Sequence, residues 1–166
     1  MDIRFATADD AAGINRIYNW YIQNTAITFD IEDWPLERRR QWIDQFNQPG
    51  SYHYLLVMVV ADELVGFAYN GAFRSRAAYA SSTEVTIYMD HRTKGKGYGR
   101  KLYDRLFSLI QQTPLHRAYA VIALPNPASI RLHEVLGFVH IGTLNEVGSK
   151  FGRYHDVAWL EKKLTD

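Results

Sequence analysis

Lys94-Gly95-Lys96-Gly97-Tyr98-Gly99-Arg100 stands between an apolar, strand-like run ending at Met89 and an amphipathic helical pattern that begins near Gly99. Glycines at alternate positions let the backbone curl so that several N–H groups converge on one point, and the N-terminus of the following helix adds its partial positive charge there. Arg92, Lys94, Lys96, Arg100 and Lys101 crowd the same place. The segment reads as a candidate pyrophosphate cradle. A Walker-type G-x-x-x-x-G-K-S/T does not occur, and the glycines do not sit in a first strand-turn-helix unit as a dinucleotide fingerprint requires.

Working outward, the strand ahead of the loop is predicted over Thr83 to Met89, and the helix after it carries Leu102, Leu106, Leu109 and Ile110 at helical spacing up to Pro114. Ala118 to Leu124 reads as a buried strand, and Asn126-Pro127 as a helix start with Asn as cap; Gly137 supplies the left-handed residue that ends that helix. Val139 to Leu144 and Val157 to Leu164 are closing strands. Toward the N-terminus, Tyr54 to Val60 and Leu64 to Tyr69 flank Ala61-Asp62-Glu63 as a hairpin. Leu36 to Phe46 is a helix stopped before Pro49-Gly50. The chain opens with a strand over Ile3 to Ala6 and a helix through Gln23, capped by Thr7 or Asp9, with Ile14, Ile17, Tyr18 and Tyr21 on one face. The order β-α-α-β-β-β-α-β-α-β-β is that of an α/β (α+β) fold whose mixed, mostly antiparallel sheet carries helices on both faces.

The chain has 166 residues, is 47% hydrophobic and carries a formal net charge of +1, so we expect one domain with one real core. The local basic cluster in a balanced chain marks a site rather than a nucleic-acid-coating surface, and nucleic acid is not an expected partner. With no cysteine there is no disulfide, no thiolate-ligated metal and no cysteine thioester. The longest apolar run, Leu55 to Ala61, is too short to span a bilayer, and no charged-then-apolar leader precedes Ile3. A cytoplasmic enzyme without membrane attachment is the expectation. The histidines show no H-E-x-x-H spacing and no G-x-S-x-G elbow occurs, so neither a metal nor a serine acyl-enzyme is expected.

The strand, glycine loop and helix, followed by strand, Asn-led helix and Gly137-Phe138, resemble the GNAT superfamily of acetyl-CoA-dependent N-acetyltransferases over essentially the whole chain. The superfamily's loop, Q/R-x-x-G-x-G/A, is matched by Lys94-x-x-Gly97-x-Gly99, where Lys keeps the charge but loses the planar fork of Arg. Asn126, Ser129, His133, Gly137 and Phe138 keep the spacing of its second signature. Three further strings are similar to the phosphinothricin and methionine sulfoximine N-acetyltransferases: Arg74-Ser75-Arg76-Ala77-Ala78-Tyr79 ahead of Glu84, Leu124-Pro125-Asn126 leading to Ser129 through Glu134, and Lys150 through Val157.

That resemblance implies several site residues. The main chain of Lys94, Gly95, Lys96, Gly97, Tyr98, Gly99 and Arg100 would meet the phosphates of acetyl-CoA, the cosubstrate. The strand of Glu84 would splay from that of Ala118, leaving Ile87, Tyr88 and Met89 to pair with the pantetheine arm. Asn126 either bonds the pantetheine or simply caps its helix. Arg74 and Arg76, in the loop that also holds Ser75, would clamp an amino-acid carboxylate or phosphinate bidentately, with Tyr79 and Phe29 as walls. Glu84 is the candidate general base, against the alternative of an exposed strand-end carboxylate. His133 can relay a proton or donate one to the departing thiolate, or be a satisfied, partly buried histidine. The resembling enzymes are commonly dimers, and Tyr154 and Trp159 are candidate exposed aromatics for a homodimer. The implied reaction is direct acetyl transfer to the α-amine of a small amino-acid analogue, with resistance or detoxification as its consequence. Acetylation of a polyamine, aminoglycoside or protein N-terminus, and a non-catalytic acetyl-CoA-binding module, stand as alternatives.

Overall fold

The computed structural model describes residues 1–165. β1 (Asp2–Phe5) leads through a 3-10 turn (Ala8–Asp10) into α1 (Ala11–Asn24), then α2 (Leu36–Ile43), β2 (Leu55–Val60), β3 (Glu63–Ala72), β4 (Ser82–Met89), α3 (Tyr98–Ile110), β5 (Arg117–Ala123), α4 (Pro127–Val135), β6 (Val139–Lys150) and β7 (Arg153–Lys163). The element order is the one the sequence predicts. At the first helix the cap is shared differently: Thr7 precedes the 3-10 turn, its N–H donating to the Asp10 carboxylate at 2.8 Å, and Asp10 rather than Asp9 caps α1.

Among the described residues the strands form one seven-stranded sheet in the order β1-β2-β3-β4-β5-β7-β6, antiparallel throughout except for the β4–β5 pair. β2 reads as a continuous apolar run because both its faces are covered. Leu56 and Met58 enter the core under α3 and α4, while Leu55 and Val57 enter the one under α1 and α2. Leu102, Leu106 and Ile110 recur every fourth position on α3 and are fully buried against β4, β5 and β7. Each such side chain contributes about 1.5–3 kcal/mol by leaving water.

β4 and β5 pair over only Ser82–Arg117, Thr83–Ala118 and Glu84–Tyr119, after which they part. β4 continues on β3 as far as Gly66–Met89, and β5 continues on β7 as far as Ala123–Val157. Each strand thus keeps its outer partner while the inner edges open. The Asp90 amide donates to the Val65 carbonyl at 2.8 Å, and the Ser81 carbonyl accepts from His116 at 2.7 Å on the opposite side. Because an antiparallel ladder alternates, even-numbered β4 residues spend their main-chain groups on β3, and odd-numbered ones turn theirs toward β5.

β6 runs to Lys150 and β7 starts at Arg153, both longer than the sequence patterns suggest. The β6 register shifts between His140 and Gly142 and again between Leu144 and Gly148, and Glu146 adopts φ 54°. These irregularities break the strict alternation by which a strand is recognised.

Candidate active site

A cavity of about 510 Å³ occupies the gap between β4 and β5. Its lining includes Ile87, Tyr88 and Met89, the whole of Lys94 to Arg100, Asn126 and His133. The residues expected to serve the cosubstrate are therefore brought together in one place. The alternation of the ladder refines them: Ile87 and Met89 turn main-chain groups into the gap, whereas those of Tyr88 face β3. Tyr88 instead presents its ring, stacked 5.4 Å from Phe67 and edge-on to Tyr18 and Tyr21. The Tyr21 hydroxyl donates to the Met89 carbonyl at 2.8 Å, which confirms the direction that carbonyl takes.

The glycine loop owes its shape to two left-handed residues, Gly95 (φ 77°) and Gly97 (φ 71°). A Cβ at either would meet nothing within 4 Å, so glycine is required here by conformation rather than by space. A side chain at such a position costs about 1–2 kcal/mol. Gly97 caps α3, and the first amides of that helix, from Tyr98 onward, have no intrahelical acceptor and open toward the cavity. These features fit a diphosphate.

The base of the loop is fixed by Asp90, which is buried. Its carboxylate accepts from the Arg92 amide (3.0 Å), Arg92 Nε (2.9 Å) and Arg16, while its carbonyl accepts from Thr93 N (2.9 Å) and Oγ1 (2.8 Å). Arg92 and Arg16 hold the Asp90 carboxyl well below the usual carboxylate range, against the upward push of burial. Arg92 also reaches Glu63. Arg92 is thus committed to carboxylates, and Arg100 stands 3.6 Å from Asp104. Lys94 and Lys96 are exposed at the mouth.

Asn126 does cap α4, its Oδ1 accepting from Ser129 N at 3.2 Å, yet it also lines the cavity, with its Nδ2 unpartnered among the described residues. His133 is 2% exposed. Its Nδ1 lies 2.8 Å from the Ser129 carbonyl and so carries the proton, which leaves Nε2 to accept the Tyr103 hydroxyl at 3.2 Å. Burial pushes the His133 pKa down, and the ring is neutral near pH 7. The satisfied, buried histidine is the one the structure has. Tyr103 and Trp20 line the same cavity without having stood out in the sequence, and Tyr21, which the sequence places on the apolar face of α1, lines it too. They are spaced like any apolar helix face, and a polar tip on such a face was the available signal.

Glu84, Arg74, Ser75, Arg76, Tyr79 and Phe29 lie outside the cavity lining. Glu84 sits where β4 and β5 still pair, opposite Tyr119 and one residue from the lining residue Val85. Burial pushes its carboxyl up, and the charge of Arg74 opposes that shift. Arg74 lies over the rings of Phe73 (4.4 Å) and Trp159 (5.2 Å), and Tyr79 meets Phe73 edge-on at 5.7 Å. Arg74, Tyr79 and Glu84 thus share one neighbourhood at the closed end of the gap. Ser75 and Arg76 are exposed in the loop, and Arg76 closes the 3-10 turn Ala77–Tyr79 through its carbonyl, 2.9 Å from the Tyr79 amide. Phe29 stands elsewhere, against Gly148 and 6.2 Å from the ring of His155.

The description "acetyltransferase (GNAT) domain" matches residues 3–159. The chain belongs to the GNAT acetyltransferase family. It is 42% identical over 165 residues to a phosphinothricin N-acetyltransferase of Streptomyces coelicolor, a match covering 99% of this chain and 96% of that protein. It is 33% identical over 166 residues to an L-methionine sulfoximine/L-methionine sulfone acetyltransferase of Salmonella typhimurium, covering 100% and 96%. A phosphinothricin acetyltransferase from Sinorhizobium meliloti, solved in complex with acetyl-CoA, superposes with a TM-score of 0.93 at 29% identity, covering 99% of this chain and 88% of that one. The GNAT chain is thus an N-acetyltransferase. Among its described residues no cluster of His, Asp and Glu could hold a metal ion, and no helix is long and apolar enough to cross a membrane.

The buried imidazole makes a testable contribution to the stability of this acetyltransferase. His133 binds a proton less readily in the folded chain than in the unfolded one, so the unfolded state takes up protons first as pH falls. The unfolding free energy should decline as pH drops below about 6.5. Urea titrations over that range should show a shallower decline in His133→Gln.

Proposed function

We propose that this acetyltransferase moves acetyl from acetyl-CoA to the α-amine of a small amino-acid analogue of the phosphinothricin or methionine sulfoximine type, by direct transfer in the cytoplasm, in a detoxifying or resistance role. The observation that carries the reading is the meeting of the glycine loop's amides with the inward main-chain groups of Ile87 and Met89, in one gap that begins beyond the last β4–β5 pair, Glu84–Tyr119. Acetyl-CoA supplies the activated thioester. The chain supplies a charge-assisted grip on the diphosphate at Gly95 to Arg100, where each hydrogen bond to a charged group contributes about 1.5–3 kcal/mol. Ile87 and Met89 pair with the pantetheine amides, and Asn126 Nδ2 is free to add a donor.

An α-amine with a pKa near 8 is about one-tenth neutral at pH 7, so freeing its lone pair costs about 1.4 kcal/mol, and a few kcal/mol for the more basic amine of a free amino acid. Holding amine and thioester together contributes about 7–11 kcal/mol, which makes positioning the larger effect. As the C–N bond forms and the C–S bond breaks, the surplus amine proton passes to Glu84, directly or through water. A carboxyl raised by burial suits that task better than an ordinary one. In this reading Arg74 and Tyr79 meet the acceptor's anionic group beside Glu84, Ser75 and Arg76 belong to the same exposed loop, and Phe29, seated against Gly148, bears on the site only through its own loop. His133, being neutral and already bonded at both nitrogens, shapes the cofactor side and holds Tyr103. The arginines near Glu84 favour zwitterionic or anionic acceptors over polycations.

β6 supports a second part of the proposal. It is a twelve-residue edge strand whose Val139, Ile141, Leu144 and Val147 are exposed, beside Phe151 and Tyr154 at the hairpin end. A long apolar edge left unpaired is an association hazard unless covered, and an isologous contact with a second copy covers it on both chains at once. Trp159 takes no part: it is half-buried beneath Arg74, which corrects its expected exposure.

Thiol release over a panel of amino-acid, polyamine and peptide amines tests the transfer; turnover confined to polyamines or absent altogether would overturn it. Glu84→Gln should lower kcat/KM about 10²- to 10⁴-fold, with acetyl-CoA affinity near wild type. In the wild type kcat/KM should fall as pH drops through a pKa above the ordinary glutamate value of about 4.3, and the variant should lack that limb. Sedimentation should give twice the 19.2 kDa chain mass, and Val147→Asp should give the monomer.

A further inference from the structure

Gly148 on β6 has no left-handed φ, so its backbone does not call for glycine. Space does. A Cβ built there would stand no farther than 2.8 Å from Cζ, Cε2 and Cε1 of Phe29, because the far end of that ring occupies the space beside Gly148. The ring also stands 6.2 Å from that of His155, which pairs with Gly148 across the hairpin, and Phe29 keeps 37% of its surface exposed.

The loop carrying Phe29 is anchored immediately beside it. Lys150, 4% exposed and two residues beyond Gly148, donates from Nζ to the Thr28 carbonyl at 2.8 Å. The Thr28 hydroxyl lies 3.0 Å from that of Tyr18, which donates to Asp30 at 2.6 Å. The same loop delivers Thr25 and Ile27 to the wall of the cavity between β4 and β5. Phe29 therefore links the β6–β7 hairpin to the loop whose Thr25 and Ile27 line the cavity.

We propose that Gly148 is a specificity-determining position for the acceptor. By giving the Phe29 ring a place to lie, it fixes the width of the acceptor end and hence the longest acceptor side chain admitted. The inference rests on acetyl transfer to a small amino-acid analogue. A side chain at Gly148 drives the ring and its loop toward the cavity and narrows the site; removal of the ring widens it. Gly148 and Phe29 act on the substrate through position alone, without touching the reacting atoms.

The test compares acceptors that differ by one methylene in the side chain, read as the ratio of kcat/KM for the shorter to that for the longer. A methylene in an apolar pocket is discriminated about 10- to 200-fold, so the ratio has room to move both ways. Phe29→Ala should lower the ratio about tenfold, Gly148→Ala should raise it about tenfold, and the double variant should return to the Phe29→Ala value, with calorimetric acetyl-CoA affinity near wild type throughout. If Gly148→Ala does not fold, Phe29→Ala alone decides the matter. A ratio within about twofold of wild type in Phe29→Ala, with turnover preserved, overturns the role of the ring while leaving the transfer reaction intact. If the wild type acetylates none of the panel, the reaction and this inference fail together.

Discussion

β4 and β5 hold each other through the residue pairs from Ser82–Arg117 to Glu84–Tyr119 and then diverge, although each remains fully paired on its outer side. Everything in the catalytic proposal follows from that divergence. Hydrogen bonding in an antiparallel ladder alternates, so withdrawing β5 exposes alternate residues of β4, and Ile87 and Met89 become main-chain donors and acceptors facing a cavity. The last residues that still pair define its closed end, and Glu84 is one of them. A sheet zipped to the end would have neither a slot for an amide-bearing arm nor a half-buried carboxylate at its foot.

The glycine loop works because the sheet presents it at the open end of the same gap. Its two left-handed residues cannot be replaced by other types without strain, and α3 begins where they turn. Asp90 makes this arrangement rigid by joining three elements: its own turn, Arg16 from α1 and, through Arg92, Glu63 at the start of β3. Charges that look from the sequence like phosphate ligands thus divide into two sets. Some brace the loop, and Lys94 and Lys96 remain at its mouth.

The strands and helices were legible wherever one face is buried, as in β2, α3 and the Asn126-capped α4, because burial imposes the period from which elements are read. β6 was legible only in its first half. Beyond Leu144 its residues are mostly polar, only Lys150 is buried, and the register slips, so no buried face imposes alternation. The residues that gather around the cavity were legible because a left-handed loop needs glycine and a helix start favours Asn, which are local demands. The acceptor side was less so: Arg74, Tyr79 and Phe29 could be named, but that Arg74 lies over Phe73 and Trp159, and that Phe29 lies over Gly148, depends on chain distant in sequence. Tyr103 went unnamed and Tyr21 was named only as helix face, because a tyrosine on an apolar helix face looks like core until its hydroxyl has a partner.

Amide hydrogen exchange with and without acetyl-CoA tests the central claim most directly, since it reports on the main-chain groups themselves. The account predicts new protection at Ile87, Met89 and from Gly95 through Arg100, with Tyr88, already bonded to β3, protected in both states. Protection that leaves the glycine loop and the odd-numbered β4 amides unchanged, or falls on another surface, would contradict it.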